Sequence, residues 1–457
     1  MCIMKKRKVP KVYANIVLTL CGLVAPSIAA TPLETVPWNN HVGAVSLTFD
    51  DALENQVVNL KPILDEMPEA HVTFFLTSTS YYLTHQGGNK GFAALALAGH
   101  EIGNHSKTHG HYTGKTQVDD ELLEEIVYPA DTIEALLAAG GANIKVSAFA
   151  TPYCANDDAV TDVINQRHFI NRDCGDWGYR KSWNKEPDWF KFSALGWDGD
   201  TKTVESITVA MDTCIGNADF SGLKPWETPP GPEGEWMVVL HHGVEEESSG
   251  MSVGTADIRK IIQHALDNKM WVAGFGTVGA YYRAHFTLDT ANAVANDDGS
   301  YKVSWTLPHP QMPQSIPMKV KLNNEFLAEA FGDIAIRADG TVPQVILEQN
   351  GKAIWPDAQG IYDIQFCELS LNIRLSTSKE STGSKTDSTG TSPDFVQKNL
   401  DSRFFAGDRT VYTLFDMNGN RLGFAEGFKV PDAMPKGTYL IQAKTPGKAT
   451  VTRKIRH

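Results

Sequence analysis

Two acidic residues and two histidines have the types and the spacing of a metal site. Asp50 and Asp51 follow an apolar run, residues 44–49, that predicts a buried strand. Adjacent residues at a strand end point in different directions, so one carboxylate can bind a metal while the other faces a substrate. His105 and His109 are four residues apart, which places two imidazoles on one face of a helical turn. Together these residues predict a divalent metal site with coordination positions left for water and substrate.

Each half of this pattern also has an ordinary structural explanation. Asp50-Asp51 alone fits a helix N-cap before Leu53 as well as it fits a catalytic pair. A His-x-x-x-His spacing alone is more often a pair of surface or core histidines, and His100 and His111 lie nearby. The metal interpretation therefore depends on both features occurring at strand ends of one sheet.

Alternating strands and helices over residues 42–286 predict the fold that would position these residues. Alternation over roughly 240 residues predicts an α/β fold with a parallel sheet, most economically a (β/α) barrel. The C-terminal ends of barrel strands form the active face, where Asp50 and Asp51 would lie. We expect strands at 44–49, 71–76, 146–149, 236–240 and 270–275, and helices at 57–67, 92–98, 121–139, 207–214 and 256–267.

After residue 288 the sequence changes to short β-type runs separated by turn residues. Residues 288–375 alternate apolar and polar positions and predict a β-sandwich module. Residues 376–395 are rich in Ser, Thr and Gly and predict a flexible linker. Residues 396–457 predict a small β domain, in which 11 Lys or Arg stand against 5 Asp or Glu.

Residues 1–29 have the pattern of an export signal peptide. A basic start is followed by an apolar run over residues 16–25, and Ser27 and Ala29 fit cleavage after Ala29. This run is too short to cross a bilayer comfortably, and no later stretch predicts a membrane span. We therefore expect a protein that is secreted, or held in the periplasm or at the cell surface.

Composition and charge exclude several classes of partner. The 457 residues are 42% apolar and 21% charged, a globular composition with room for about three domains. The formal charge of −13 becomes −18 without the five basic residues of the signal peptide. A surface this acidic repels phosphate backbones and anionic lipid, so we expect neither nucleic acid nor peripheral membrane binding. No sequence feature indicates an oligomeric state.

Four cysteines remain after the predicted cleavage: Cys154, Cys174, Cys214 and Cys367. Export permits disulfides, and four thiols allow three connectivities. Because Cys367 lies far downstream of the other three, we expect one bridge and two free thiols. No Cys-x-x-Cys pair is present, which argues against a zinc ribbon.

Five short motifs follow one another along the α/β part. They are Thr48-Phe49-Asp50-Asp51, His105-Ser106-Lys107-Thr108-His109, Ala150-Thr151-Pro152-Tyr153, Asp173-Cys174-Gly175-Asp176-Trp177 and Leu240-His241-His242. In this order they resemble the polysaccharide deacetylase family (carbohydrate esterase family 4, the nodulation-type deacetylase domain). The resemblance covers about residues 42–285, with four of the five motifs intact. It implies a distorted (β/α) barrel that hydrolyses acetyl groups on carbohydrates.

The resemblance also implies a role for each matched residue. Asp51, His105 and His109 would bind a divalent metal, most often zinc, that polarises the acetyl carbonyl and acidifies bound water. Asp50 would be the general base, and the backbone N–H of Tyr153 would help to stabilise the oxyanion.

The remaining motifs would supply the acid and the substrate contacts. His242 would protonate the leaving amine or alcohol. We choose it over His241 because a glycine follows it, as in the family, and because it shares a strand side with Leu240. The substrate-binding residues would be Trp177 and Leu240, which line the acetyl slot, with Pro152 and Asp176.

One position departs from the family pattern. Ala150 stands where the family has an arginine that pairs with the catalytic base. Without that cation, Asp50 would be less well oriented and its pKa would be higher. Arg172, beside the fourth motif, is the alternative source of this charge from another strand.

Aromatic residues and the C-terminal segment add two further expectations. Six tryptophans between residues 177 and 236 suit a carbohydrate cleft, with Trp183 and Trp189 as the surface candidates and Trp236 as a core residue. The segment 396–457 is similar to the C-terminal secretion-sorting domains of Bacteroidetes and Fibrobacter-like bacteria, or is an unrelated β module.

Three functions remain open on the sequence. The first is a secreted, metal-dependent deacetylase acting on an acetylated polysaccharide or oligosaccharide, either N-acetylated and chitin-like or O-acetylated and xylan-like. The second is a catalytically impaired carbohydrate-binding protein on the same fold, which the missing arginine would favour. The third is a non-haem iron oxygenase with the same ligand set. The helix-rich spacing after Asp51 argues against the jelly roll that an oxygenase would need.

Overall fold

The computed structural model describes most of the chain between Ala30 and Thr377. The described ranges are 30–115, 117–175, 178–197, 202–218, 220, 229–332 and 343–377, with the backbones of four strands between residues 411 and 456. The predicted signal peptide and the predicted linker beyond residue 377 lie outside these ranges. None of the helices in the described ranges is long and apolar enough to cross a membrane.

A nine-stranded, mainly parallel sheet forms the centre of the α/β part. In chain order the strands up to residue 272 are β1 (Leu33–Thr35), β2 (Ala44–Asp50), β3 (Thr73–Leu76), β4 (Glu101–Asn104), β5 (Ala148–Ala150), β6 (Ile170–Arg172), β7 (Arg180–Ser182), β8 (Leu195–Gly196), β9 (Glu235–His241), β10 (Val244–Glu245), β11 (Val253–Gly254) and β12 (Trp271–Val272). The order across the sheet is β6-β5-β4-β3-β2-β9-β7, with β12 beside β2 and β8 beside β9. Strands β2 and β9 are buried along their whole length, as the continuous apolar runs of a parallel sheet require.

The sheet curls, and the chain around Phe192 bridges the gap between β6 and β9. The backbone N–H of Phe192 donates to the carbonyl of Asn171 in β6 at 3.3 Å. The carbonyl of Phe192 accepts from the N–H of Asp173, just after β6, at 2.8 Å. A few residues later, β8 pairs in parallel with β9. The predicted distorted α/β barrel is therefore confirmed.

Helices connect the strands, and the five predicted helices are present, whereas α2, α6 and α9 were not predicted. They are α1 (Lys61–Glu66), α2 (Tyr81–His85), α3 (Gly88–Leu97), α4 (Asp120–Leu122), α5 (Tyr128–Gly140), α6 (Asp158–Arg167), α7 (Val204–Cys214), α8 (Thr255–Asp267) and α9 (Phe275–Leu288). Gln56–Leu60 and Leu123–Val127 are π-helical turns that lead into α1 and α5.

The predicted strand 270–275 is wrong beyond Val272, because Phe275 begins α9. The carboxylate of Glu101 accepts hydrogen bonds from the backbone N–H groups of Gly276 and Thr277, at 2.8 and 3.2 Å. These are N–H groups of the first turn, which have no partner inside a helix. Glu101, which accepts these bonds, lies on β4, far from α9 in sequence. The residues around position 275 therefore did not indicate that a helix begins there.

A two-sheet β module follows the barrel and belongs to the same compact unit. Its elements are β13 (Asn292–Ala295), β14 (Tyr301–Ser304), β15 (Pro317–Leu322), α10 (Asn324–Phe331), β16 (Val345–Gln349), β17 (Lys352–Ile354), β18 (Tyr362–Gln365) and β19 (Ser370–Leu375). Five strands form one sheet, in the order β13-β14-β19-β16-β17, and the other has the order β1-β15-β18. Strand β1 is thus part of this module, although the module was expected to begin at residue 288. Leu33 pairs with Leu322 and Thr35 with Val320.

The last four strands form an antiparallel sheet in a second compact unit. They are β20 (Val411–Phe415), β21 (Arg421–Phe424), β22 (Thr438–Lys444) and β23 (Val451–Arg456), in the order β21-β20-β22-β23. Tyr439 and Ile441 are buried, so β22 supplies an apolar face to this sheet.

The prediction that Trp183 and Trp189 lie on the surface is wrong. Their side chains are 4% and 7% exposed. Trp183 packs edge-on against Trp38 with ring centroids 4.8 Å apart, and the guanidinium of Arg283 lies over the ring of Trp189. Trp236 lies in the core as predicted, and its indole N–H donates to Ser46.

Candidate active site

The predicted catalytic and metal-binding residues lie where parallel strands end. Asp50 is the last residue of β2, and Asp51 follows it. His105 comes directly after β4, and His242 comes directly after β9. Parallel strands bring all their carboxyl ends to one edge of the sheet, which is the active face of a barrel.

Asp51, His105 and His109 converge on one point. Their nearest ligand atoms all lie within 4.8 Å of one another. Oδ1 of Asp51 is 3.4 Å from Nε2 of His109 and 3.6 Å from Nε2 of His105. Two donors bound tetrahedrally to one zinc ion at about 2.1 Å each are about 3.4 Å apart. The three side chains therefore fit a divalent metal.

A hydrogen bond behind His105 supports this fit. Nδ1 of His105 lies 2.8 Å from the backbone carbonyl oxygen of Ala150, which can only accept. The proton therefore lies on Nδ1, and Nε2 carries the lone pair toward Asp51. Burial lowers the pKa of His105, although Asp50 and Asp51 oppose this shift, so the ring is neutral as a metal ligand must be.

The two histidines do not lie on a helical turn as their spacing predicted. Residues 105–109 form a loop in which Ser106 and His109 have positive φ angles of 68° and 59°. Asp51 has a φ of 78° and Tyr153 one of 55°. Each such residue costs about 1–3 kcal/mol and persists only where its surroundings hold it. The site is therefore built from strained backbone at three different strand ends.

Asp50 has a cationic partner. Nη2 of Arg172 donates to Oδ2 of Asp50 at 2.5 Å, and both side chains are almost fully buried. Burial by itself would raise the pKa of Asp50, but the charge of Arg172, assisted by His105 and His242, lowers it below its ordinary value. Of the two alternatives from the sequence, the unpaired Asp50 with a raised pKa is wrong, and Arg172 is its partner. Oδ1 of Asp50 has no hydrogen-bond partner among the described residues.

The position of Arg172 explains how it replaces the missing arginine. Ala150 at the end of β5 and Arg172 at the end of β6 are direct register partners. Residues in register on neighbouring strands point to the same face of a sheet. In this chain the cation is on β6 instead of β5, and it still contacts Asp50. Its guanidinium also lies over the ring of Phe75, 5.2 Å from the ring centre.

His241 and His242 have different surroundings. His241 is fully buried between Phe49 and Trp197, with ring centroids 5.0 and 5.9 Å apart, and burial lowers its pKa to about 3. His242 is half-buried, and its charge reaches Asp50 strongly enough to lower the pKa of that carboxyl. Of the two rings, only that of His242 is partly exposed.

The predicted substrate contacts are placed in part. Pro152 is buried in the turn after β5, and Leu240 is 6% exposed near the end of β9. Tyr153 is 65% exposed, and its ring packs edge-on against His109 with centroids 4.6 Å apart. Asp176 and Trp177 lie outside the described residues.

A disulfide connects the third and fourth motifs. Cys154, the neighbour of Tyr153, is bonded to Cys174, two residues after Arg172, with a Cα–Cα distance of 5.4 Å. Cys214 and Cys367 are free. The expected pattern of one bridge and two free thiols is confirmed.

A family-model match covers part of the domain that holds this site. Residues 39–169 match the polysaccharide deacetylase family model. The match includes Asp50, Asp51, His105, His109 and Tyr153 and ends before Arg172 and His242. No curated protein matches the chain.

Solved structures similar to this chain include three carbohydrate esterase family 4 proteins. The Xyl-CE4 domain of a multidomain xylanase from the hindgut metagenome of Trinervitermes trinervoides is 15% identical, over 51% of this chain and 88% of that one, with a TM-score of 0.34. A family 4 carbohydrate esterase from Streptomyces lividans is 18% identical over 50% and 91%, with a TM-score of 0.31. A CE4 family pseudoenzyme from Bacillus anthracis is 18% identical over 51% and 64%, with a TM-score of 0.33.

Gln56 is a site residue that sequence reasoning missed. Its fully buried amide N–H₂ donates to the backbone carbonyl oxygens of Asp50 and His242, at 2.5 and 2.9 Å. It thereby ties the ends of β2 and β9 together behind the site. Gln56 lies one residue before the predicted helix 57–67, so the sequence pattern gave no signal for its burial.

Proposed function

We propose that this protein is an exported, metal-dependent carbohydrate deacetylase that hydrolyses acetyl groups on a polysaccharide or oligosaccharide. The observation that carries the proposal is the Asp51, His105 and His109 cluster beside the Asp50–Arg172 ion pair. The family-model match over these residues supports the same chemistry. Zinc is the proposed metal because an Asp and two histidines are typical zinc ligands.

The chain's own residues account for activation of the nucleophile. Asp51, His105 and His109 would hold a divalent ion, which would supply Lewis acidity toward the acetyl carbonyl and make a water molecule more acidic. Asp50 accepts the proton of the attacking water at Oδ1, the oxygen that Arg172 leaves free. Arg172 keeps this carboxylate ionised and oriented, so the base is ready at neutral pH.

Two further groups act on the acyl carbon and the leaving group. The backbone N–H of Tyr153 donates to the developing oxyanion, from a turn held by the Cys154–Cys174 bridge. His242 donates a proton to the leaving amine or alcohol. Gln56 fixes the backbone of His242 relative to Asp50, which keeps the acid and the base on either side of the scissile bond.

Export and the C-terminal segment belong to the same proposal. The pattern of residues 1–29 supports an export signal, and the Cys154–Cys174 bridge suits an oxidising compartment. The sequence pattern of residues 396–457 supports a role in sorting to the cell surface.

The two rival functions are less well supported. The impaired-enzyme hypothesis relied on an unpaired Asp50, and Arg172 removes that reason. The oxygenase hypothesis requires a jelly roll, whereas the ligands lie at the ends of parallel strands of an α/β barrel.

The test is acetate release from chitin oligomers, peptidoglycan and acetylated xylan, with and without a chelator. We expect His109→Ala to lose both stoichiometric metal and activity while the barrel stays folded, because two ligands hold a divalent ion poorly. His264→Ala is the matched control, since His264 pairs with Asp212 between α7 and α8. Stoichiometric zinc and normal turnover in His109→Ala would show that the site is assigned wrongly. Acetate released from N-acetylated but not O-acetylated glycans, or the reverse, identifies the substrate class.

A further inference from the structure

A network of polar side chains contacts the loop that carries His109. The loop 105–112 carries His109 and turns against the π-helical segment Leu123–Val127. Its hydrogen bonds converge on one carboxylate, that of Glu125. Neither Glu125 nor its partner Tyr112 belongs to the five motifs.

One oxygen of Glu125 accepts three hydrogen bonds from this loop. The backbone N–H and the hydroxyl of Thr108 donate to Oε2 at 3.0 and 2.9 Å, and the hydroxyl of Tyr112 donates at 2.7 Å. The backbone carbonyl of Glu125 accepts a fourth bond from the N–H of Lys107, at 2.9 Å. Hydrogen bonds to a charged acceptor are about twice as strong as neutral ones.

Tyr112 extends the network to the backbone on both sides of His109. Its oxygen accepts the backbone N–H of Gly110 at 2.6 Å and lies 3.2 Å from the hydroxyl of Ser106. Ser106 in turn accepts the backbone N–H of His109 at 2.9 Å. Tyr112 is 6% exposed and packs in an apolar cluster with Ile126 and other barrel residues, so its ring is fixed.

The packing leaves this loop no alternative path. A Cβ added to Gly110 would lie 2.6 Å from the ring of Tyr112. Ser106 and His109 both have left-handed backbone, which a free loop of these residues would leave. Strained residues persist only where their neighbours over-determine the conformation. The Glu125 and Tyr112 contacts are the neighbours that do so here.

We infer that Glu125 and Tyr112 are positioning residues for the metal site, holding His109 at the distance from Asp51 at which both bind one ion. The inference rests on the metal site of the proposed function. Neither side chain touches the metal or the substrate, and both act through the backbone of the loop. Loss of either lets His109 relax out of its strained conformation and leaves two preformed ligands.

The test measures the dissociation constant of zinc and of cobalt in the full chain, by competition with a chromophoric chelator. Changes that misplace a ligand through its supporting contacts weaken metal affinity by about 10–100-fold. We expect a loss of this size in Glu125→Ala and in Tyr112→Phe, and a smaller loss in Glu125→Gln, which keeps one acceptor oxygen. Acetate release should return close to the wild-type rate at saturating metal. The visible spectrum of the cobalt form should also change, because the position of His109 does.

Glu124→Ala is the matched control. Glu124 is the preceding residue and also contacts the loop, but only through an exposed ion pair with Lys107 at 3.2 Å. Such pairs contribute little, so its metal affinity should equal that of the wild type. An equal loss in Glu124→Ala would overturn the inference, since a general charge effect would explain both.

Two further results separate this inference from the proposed function. Wild-type metal affinity in both folded Glu125→Ala and Tyr112→Phe would refute the positioning role while leaving the metal site intact. Failure of the wild type itself to bind either ion would refute the metal site and the proposed function with it. If Glu125→Ala does not fold, Tyr112→Phe decides the question alone, because it removes a single oxygen and keeps the packed ring.

Discussion

Exchanging the positions of alanine and arginine at the ends of β5 and β6 tests the most specific claim about the site. Arg172→Ala removes the buried partner of Asp50, and Ala150→Arg restores the family's arrangement from the register-paired position. Because both side chains point to the same face, a guanidinium at position 150 can reach the same carboxylate. We expect a low activity in Arg172→Ala and a substantial recovery in the double variant.

The magnitude follows from the burial of the pair. Two unit charges about 4 Å apart at an effective dielectric constant of about 20 interact by about 4 kcal/mol. That free energy corresponds to about three pKa units, an upper limit because His105 and His242 also favour the ionised carboxylate. Arg172 lowers the pKa of Asp50, so its removal raises that pKa. The base works only when ionised, and the acid limb of the pH–rate profile should therefore move to higher pH.

The assay is kcat/KM for acetate release between pH 4 and pH 9, with metal content measured in every variant. We expect Arg172→Ala to lose up to about 10²–10³-fold on the acid limb, where its Asp50 is protonated, and to recover most of this loss as the pH rises toward neutral and above. Arg172→Lys keeps the charge but not the planar two-donor geometry of the guanidinium. Its kcat/KM should therefore lie between those of the wild type and Arg172→Ala. A metal-loaded Arg172→Ala with normal kcat/KM and an unchanged acid limb would refute the role of this ion pair. A double variant no better than Arg172→Ala would refute the equivalence of the two positions.

Three other changes have defined outcomes. Tyr153→Ala should raise KM for a glycan without altering kcat on a small acetyl ester. The change removes an exposed ring beside His109 but keeps the backbone N–H. An unchanged KM for the glycan would contradict this. Burial raises the pKa of Glu101 to about 7 against hydrogen bonds from the start of α9 that lower it. The folded protein therefore holds this proton longer than the unfolded chain, and the free energy of unfolding should fall by up to about 3 kcal/mol between pH 4.5 and 7. Urea titrations should show a smaller fall in Glu101→Gln; an equal fall in that variant would assign the pH dependence elsewhere. A chain truncated after Thr377 should keep its specific acetate release, since β20–β23 belong to a separate compact unit, whereas loss of activity in a folded truncation would contradict that division.

The sequence predicted the parts of the site that depend on strand ends. Asp50 and Asp51 could be placed because they follow a recognisable apolar run, and parallel strands align their carboxyl ends. The strand before His105 was not predicted, because β4 has the sequence Glu-Ile-Gly-Asn. It could not predict the conformation of the loop that carries His109. Spacing alone favoured a helical turn, whereas contacts with Glu125 and Tyr112 hold a left-handed loop.

Cross-strand neighbours were the main source of error. Arg172 follows Ala150 by 22 positions, and only the pairing of β5 with β6 makes them equivalent. The burial of Trp183 depends on Trp38 and His285, which lie on either side of it in sequence at large separations. Such contacts are absent from any local pattern, so they appear only when the tertiary structure is known.

The pairing of β1 with β15 has a consequence for the order in which the chain can fold. Residues 33–35 are synthesised before the barrel, but they hydrogen-bond to a strand that is synthesised only after it. Until β15 is synthesised, Leu33 has no pairing partner. The hydroxyl of Tyr281 donates to the backbone carbonyl of Val36, but β15 does not yet hold the segment around Val36. Contacts of such high sequence separation form late because loop closure must precede them. Strand β1 therefore depends on the β module for its pairing. A chain that ends at residue 287 should leave β1 as an unpaired strand.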